Sequence, residues 1–414
     1  MLDVDLFEPE TQECPYPSYA ALRDEAPVFY MPSAGMYIVS RYEDILEISR
    51  NPKVFAQGPA PKQAYIQDPD ALKIWLDQGI PRPGRIPLST DPPIHRRYRA
   101  MVDGFFTARA VEKKRDLIEK VANELIDSWI DSTEIEFVSQ FAQPLPVAVI
   151  TLLMGFPADS VPDLCRWSEA WVMQFDGKLT AEQERYVAEQ NVEFQRFIMS
   201  VVEEKRRRPD ETLLSHLGNA KFKDLEGTPR RLTDSEIVYM VDQLHAGGNE
   251  TTAFAITSAL WLMLSNPQVH QQIRADHSLI EKFIEESLRL ESPTQGMARH
   301  TTEDVEVNGV LIPKGSTVHL RFAAGNRDPR FFSSADHLDL SQPNSHRNLA
   351  FGQGEHHCVG ANLSRFEQRI AFKLLLDRIE DWWLIPEKND YRHRPGLILR
   401  AMNQLHVGIR AKER

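Results

Sequence analysis

One stretch constrains this chain more than any other: Phe351-Gly352-Gln353-Gly354-Glu355-His356-His357-Cys358-Val359-Gly360. It sets a single cysteine in a loop bounded by glycines, and a helical pattern follows at once. Ala361, Leu363, Phe366, Ile370, Leu374 and Leu375 recur at roughly helical spacing. Cys358 therefore lies where a tight loop feeds a helix N-terminus. Unpaired helical N–H groups and the helix dipole lower the cost of an anionic sulfur at such a place. Gly352, Gly354 and Gly360 let the backbone pass close to something flat or bulky. A thiolate so placed can ligate a cofactor metal. The competing reading of any lone cysteine is a buried small hydrophobe, and the glycines and polar neighbours weigh against it.

A zinc or iron–sulfur site needs several nearby sulfur ligands. The chain has three cysteines, and Cys14 and Cys165 are far from Cys358 in sequence. One thiolate as sole protein ligand suits haem iron, whose porphyrin supplies the in-plane nitrogens.

The stretch resembles the haem-binding loop of the cytochrome P450 family, Phe-Gly-x-Gly-x-His/Arg-x-Cys-x-Gly. It matches at Phe351, Gly352, Gly354, His356, Cys358 and Gly360. The resemblance implies a mainly α fold with a smaller β-rich region, the cytochrome P450 fold. It implies one domain over residues 1–414, with β-rich parts near 28–40, 305–320 and 390–410. It also implies haem b (iron protoporphyrin IX) ligated by Cys358, with Phe351, His356 and Gly360 beside it. The likeness is greatest to the soluble bacterial members.

At 414 residues and 42% apolar composition the chain can bury a large core. Length alone allows more than one domain, but no long polar or Gly/Ser-rich linker divides it. The net charge of −12 gives no overall attraction to nucleic acid or an anionic bilayer. The start, Met1-Leu2-Asp3-Val4-Asp5-Leu6-Phe7-Glu8, reads as neither a secretory signal nor a membrane anchor. Three cysteines make no disulfide framework, which points to a reducing cytoplasm.

Val28-Phe29-Tyr30 and Met36-Tyr37-Ile38-Val39, around Ser33-Ala34-Gly35, predict a β-hairpin, and Arg41–Ile48 a short helix. Residues 57–88 are rich in proline and glycine and read mostly as a long loop with apolar members, a lid or a plain surface excursion. In the resembled family this region covers the substrate. Within Asp91-Pro92-Pro93-Ile94-His95-Arg96-Arg97-Tyr98-Arg99, the prolines can start a helix that puts His95 and Arg99 on one face. That is either a basic solvent face or a carboxylate clamp. The family pattern implies that the pair holds a haem propionate. Arg109, Lys113, Lys114 and Arg115 form a basic patch, a solvated helix face or a docking surface for an acidic electron donor. Val121, Leu125, Ile126 and Trp129 form one apolar stripe, and Leu145 to Met154 a core helix. Trp167, Trp171, Val172, Met173 and Phe175 read as packing residues first and a substrate roof second.

Thr233-Asp234-Ser235-Glu236 is a capping box for a long helix running to about Leu264 and stopped by Asn266-Pro267. Inside it lies Ala246-Gly247-Gly248-Asn249-Glu250-Thr251-Thr252. Two glycines there cost about 1 kcal/mol each relative to alanine, which close approach of a large ligand would explain. The polar residues suggest a locally opened helix. Glu250 and Thr251 match the family's acid–alcohol pair, which implies delivery of protons to the dioxygen being reduced; the bland reading of Glu250 is a structural buried acid. By family position Gln243, Ala246 and Gly247 line the pocket. His245 reads as a satisfied core histidine.

Glu286 and Arg289 match the family's Glu-x-x-Arg, which braces the fold behind the thiolate loop, and Arg299 a further propionate contact. Met297, Leu397 and Ile398 would reach the substrate. Val305–Ile312 is a hairpin with an Asn308-Gly309 turn, and Arg394–Leu399 a second hairpin. Two positions depart from the family: Gln342 stands where an arginine joins the Glu–Arg pair, and Asn348 where a histidine contacts a propionate. His346 and Arg347 are close enough in sequence to compensate.

The resemblance implies a haem-thiolate monooxygenase. It inserts one oxygen atom from dioxygen into an apolar small molecule by hydroxylation, O-demethylation or epoxidation. Electrons would come from an iron–sulfur ferredoxin and its NAD(P)H-dependent reductase, and the protein would act as a monomer, away from membranes and nucleic acid. The alternatives are a haem-thiolate peroxygenase, isomerase or dehydratase, and a non-catalytic haem sensor or carrier.

Overall fold

The computed structural model describes residues 2, 4–57, 66–81, 89–174, 179–224 and 226–413. Phe175 and the parts of the proline-rich segment at 58–65 and 82–88 lie outside the described residues. The chain forms two compact units, one from residues 1–58, 118–142 and 251–414, the other from 59–117 and 143–250.

The first unit carries the larger sheet. Its strands run in the order Val28–Met31, Met36–Val39, Thr317–Leu320, Met297–Thr301 and Phe55–Ala56. Alternation along the strands divides their side chains between two cores. Val28, Val39, Val318 and Leu320 pack with Tyr42, Phe322 and Phe332, while Met31, Met36 and Ile38 pack with Leu6, Tyr19 and Leu22. The expected hairpin Val28–Met31/Met36–Val39 is present, as is the helix after it, Tyr42–Ser49. The hairpin Val305–Val307/Val310–Ile312 turns at Asn308 (φ 50°) and Gly309 (φ 78°). Positive φ at both positions is what a tight hairpin requires and what Asn-Gly supplies. A second sheet joins Ile379–Leu384, His406–Ala411 and Glu134–Glu136.

The hairpin expected at 394–399 is not regular. Its backbone closes on itself through Arg394 N to Ala401 O (2.8 Å) and also pairs with another segment, Gln295 N donating to Ile398 O (2.7 Å) and Arg400 N to Pro293 O (2.9 Å). Only the bridges Thr294–Leu399 and His393–Met402 form there.

The second unit is helical. Residues 57–88 hold more structure than their composition suggested, because Pro69–Gln78 is a helix. Asp68 caps it through Ala71 N (2.9 Å), Pro69 takes the first turn, where no N–H is needed, and Gly79 ends it. Both flanks are tied to the helix Ala181–Arg207. Glu184 accepts the N–H groups of Gln67 (2.7 Å) and Asp68 (2.6 Å), and Gln195 accepts that of Ile80 (2.7 Å).

The central helix runs Asp234–Ser265, as its caps predict. Thr233 N donates to Glu236 (2.8 Å) and Glu236 N to Thr233 Oγ1 (3.2 Å). Asn266 closes the other end on Leu262 O (2.7 Å). The local opening expected near 246–252 is absent, and the helix is continuous there. Its polar side chains find partners without breaking the backbone ladder. Asn249 bonds His245 (3.2 Å), and Thr252 donates to Ser364 Oγ (3.1 Å).

Glu236 does more than cap. Arg230 grips it with a two-point fork (2.7 and 2.6 Å), and Tyr98 donates to it. Burial opposes its charge, but Arg230, Tyr98 and the Thr233 N–H hold the carboxyl at about 2. A depressed acid stabilises the fold above its unfolded value, 4.5, and loses that effect as pH falls through its folded value. Glu236→Gln is therefore expected to lower unfolding free energy by about 1–3 kcal/mol at neutral pH. In urea unfolding the gap from the parent protein should close as pH falls from about 4.5 towards 2; a gap independent of pH would contradict this account.

Candidate active site

The cysteine loop is shaped by two left-handed glycines, Gly352 (φ 64°) and Gly354 (φ 77°). A Cβ at 354 would stand 2.1 Å from the Ser49 carbonyl oxygen, so no other residue fits. Gly352 N donates to Leu349 O (2.8 Å), His357 N to Gly354 O (3.1 Å) and Cys358 N to Phe351 O (2.9 Å). The helix Ala361–Arg378 follows directly, its first turn fixed by Ser364 N to Gly360 O (2.9 Å). Cys358 is only half-buried. Among the described residues no group of three or more His, Cys, Asp or Glu side chains could hold a metal. The donor set is thus one sulfur, which fits a metal that arrives with its other ligands in place.

The central helix supplies a second fitting feature. Gly247 is exposed although Ala246, Asn249 and Glu250 around it are buried, and no atom lies within 4 Å of where its Cβ would stand. Gly248, next to it, packs on Ile150 (3.7 Å). One bare backbone face is therefore presented at 247, where a flat group can lie close. Gln243, one turn earlier, is half-buried and donates to Ser89 Oγ (2.8 Å). His245 is a packed core histidine. It lies against Phe194 (4.8 Å between ring centres), and burial pushes it down to about 3, so it is neutral.

Glu250 is buried and Thr251 half-buried on the continuous helix. Burial, with the charges of Glu250 and Glu169 nearby, pushes the Cys165 thiol up to about 11. Cys165 is thus an unreactive thiol. Thr252, Ser364 and Gln368 form a chain, the last link at 3.3 Å. Beside it stands Glu367, which the sequence reading passed over. It is 2% exposed, and burial raises its carboxyl well above the usual range. The signal was available: Glu367 falls on the apolar stripe of Leu363, Phe366 and Ile370, where an acid is out of place.

The bracing pair is fully formed. Arg289 Nε and Nη2 each reach Glu286 at 2.8 Å, and both side chains have no exposure. The remaining guanidinium donors go to the carbonyls of Asn326, Ala335, Ser334 and His337. Gln342 does not join the pair. It bonds Ser333 Oγ (2.8 Å), next to Ser334, and supports the segment whose carbonyls Arg289 holds.

Asn348 is buried. Its amide donates to Glu285 (2.9 Å) and Ser345 O (2.9 Å), and its oxygen accepts from Ala350 N (3.1 Å). The Arg347 guanidinium lies over the Phe331 ring at 4.6 Å. His95 is buried and Arg99 pairs with Asp103 (2.8 Å), both on the helix Ile94–Ala100. Arg299 is buried on its strand and donates to Ala298 O (2.8 Å). Met297 is 43% exposed, large for an apolar side chain, and Leu397 and Ile398 are half-buried. Arg109, Lys113 and Lys114 border a groove of about 450 Å³ floored by Phe105, Leu152 and Leu153. Arg115 is paired with Glu112 (2.8 Å).

A mainly helical fold and a glycine-shaped loop that offers one cysteine sulfur suit a haem-thiolate protein. Residues 51–391 match the family model described as "Cytochrome P450". Cytochrome P450 107B1 of Saccharopolyspora erythraea is 33% identical over 398 residues, covering 94% of this chain and 93% of that protein. The vitamin D(3) 25-hydroxylase of Pseudonocardia autotrophica is 32% identical over 417 residues, covering 97% and 96%. The Tepidiphilus thermophilus P450 heme domain superposes with a TM-score of 0.88 at 27% identity, covering 98% of this chain and 96% of the other. The chain belongs to the cytochrome P450 family. It has the P450 fold and is a monooxygenase whose cofactor is haem b. Cys358 is the residue fitted to hold the iron.

Arg289→Leu leaves the Glu286 carboxylate buried without its partner and is expected to destabilise the protein by about 3–5 kcal/mol. Urea unfolding checks this; a change under about 1 kcal/mol would show that the pair is not a principal brace.

Proposed function

We propose that this P450 inserts one oxygen atom from dioxygen into an apolar small organic molecule, chiefly by hydroxylation. Its electrons come from an iron–sulfur ferredoxin and an NAD(P)H-dependent reductase. The observation that carries the reading is the pair Glu250–Thr251, set in an otherwise apolar helix three residues past the bare backbone face at Gly247. The haem, when bound, supplies the oxidative chemistry, and a cysteine thiolate favours O–O cleavage.

The chain's own residues do the rest. Cys358 offers one anionic ligand. His95, Arg99, Arg299 and His356 are the donors that suit the propionates, with Phe351 and Gly360 framing the ligand. Gln243, Ala246, Gly247, Met297, Leu397 and Ile398 contact substrate. Thr251 holds a proton at its hydroxyl, and the buried Glu250 carboxyl passes protons to it. Glu286 and Arg289 keep the loop's support fixed. A pair fit for proton delivery weighs against a dedicated peroxygenase and against a sensor or carrier; an isomerase or dehydratase is separated by its independence of dioxygen and reductant. The hydroxylase of an apolar compound among the relatives supports the substrate class. The groove edged by Arg109, Lys113 and Lys114 supports an acidic electron donor, since its cations stand out in a chain of net charge −12. Among the described residues no helix is long and apolar enough to cross a membrane.

Thr251→Ala should leave the optical spectrum and substrate affinity intact while raising the peroxide released per NAD(P)H consumed, because a proton-transfer group is lost. The check is peroxide yield against product yield with ferredoxin and reductase present. Unchanged coupling would remove Thr251 from proton delivery, and dispensability of dioxygen and NAD(P)H would favour the rival enzymes.

A further inference from the structure

Glu285 stands beside the bracing Glu286 but faces a different group. It is buried on the helix Ile280–Leu290, and its two oxygens hold two separate arms. Arg365 donates Nε to Oε1 at 2.6 Å and Nη2 to Oε2 at 3.1 Å. Asn348 donates to Oε2 at 2.9 Å. Each arm then reaches the cysteine loop at adjacent residues. Asn348 Oδ1 accepts the N–H of Ala350 (3.1 Å), and the Arg365 guanidinium lies 4.4 Å from the centre of the Phe351 ring. Phe351 in turn accepts the N–H of Cys358 through its carbonyl (2.9 Å).

We propose that Glu285 and Arg365 are positioning residues for the Cys358 thiolate, acting through Phe351. The arrangement rests on Cys358 being the haem ligand. A flat guanidinium stacks on an aromatic face and meets a carboxylate in two-point fashion, and a lysine does neither. The ion pair fixes the plane of Arg365, that plane fixes the Phe351 ring, and the backbone carbonyl of Phe351 fixes the cysteine N–H. Asn348 holds the preceding residue by its backbone, so the loop is gripped at ring and backbone from one carboxylate. Neither Arg365 nor Glu285 belongs to the Glu286–Arg289 brace, which holds residues 326 and 334–337.

The test compares haem-loaded wild type, Arg365→Lys, Phe351→Leu and the double variant. The readout is how long the reduced carbon monoxide complex keeps its thiolate spectrum, with the thermal midpoint recorded in parallel. Arg365→Lys keeps the charge and loses the fork and the stack, and should lose the thiolate form about tenfold faster. Phe351→Leu should do the same, and the double variant should be no faster than either single one, as expected of residues acting in series. An Arg365→Lys rate within about twofold of wild type overturns the proposal, as do additive effects in the double variant. If Arg365→Lys does not load haem, Glu285→Gln takes its place with the same expected and overturning results. A wild type that never shows a thiolate spectrum would defeat the assignment of Cys358 instead.

Discussion

The Glu286–Arg289 pair is the constraint on which the cysteine loop's surroundings depend. A buried ion pair contributes little net stability unless its remaining hydrogen-bonding capacity is filled. Here it is filled, because the guanidinium bonds four backbone carbonyls as well as the carboxylate. The pair therefore works as a jig. It pins segments near residues 326 and 334–337, and Asn326 Oδ1 then accepts the N–H of Leu349 (2.6 Å), two residues before Phe351. Position passes from a helix to a coil segment to the cysteine loop through groups that have no alternative partners. Gln342 and Asn348 each stand where a charged or ionisable group was expected; Gln342 bonds Ser333 beside the segment that Arg289 holds, and Asn348 bonds Glu285 and Ala350.

The functional chemistry depends on where polar groups are tolerated. The central helix is apolar for most of its length, and each polar residue in it has a specific setting. His245 is neutral and packed on Phe194, Asn249 bonds that histidine, and Thr252 bonds Ser364. Glu250 and Thr251 stand among them, three and four residues past Gly247. Glu367 adds a buried acid on the helix that follows the cysteine, its carboxyl raised by burial.

Much of this was legible in the sequence where the cause was local. The loop glycines, the Asn308-Gly309 turn and the Thr233–Glu236 capping box each encode their geometry within a few residues. Features set by distant partners were not legible. Asp68 announces a helix cap, but the helix Pro69–Gln78 is secured by Glu184 and Gln195, more than a hundred residues on. The segment 394–399 was expected as a hairpin, and its pairing with residues 293–295 could not be read from its own residues. The bonds of Asn348 to Glu285 and Ala350 were likewise not legible, since Glu285 lies more than sixty residues away. Glu367 was legible but was masked by the strength of the apolar pattern around it.

The central claim is that one cysteine thiolate, held by this scaffold, ligates haem iron. Its most direct test is the optical spectrum of the reduced carbon monoxide complex of purified wild type, taken beside Cys358→His. The account predicts a haem-thiolate spectrum for wild type and its loss in the variant, with haem still bound through the histidine. A thiolate spectrum that survives in Cys358→His would show that another residue ligates the iron, and the account of the loop would fail.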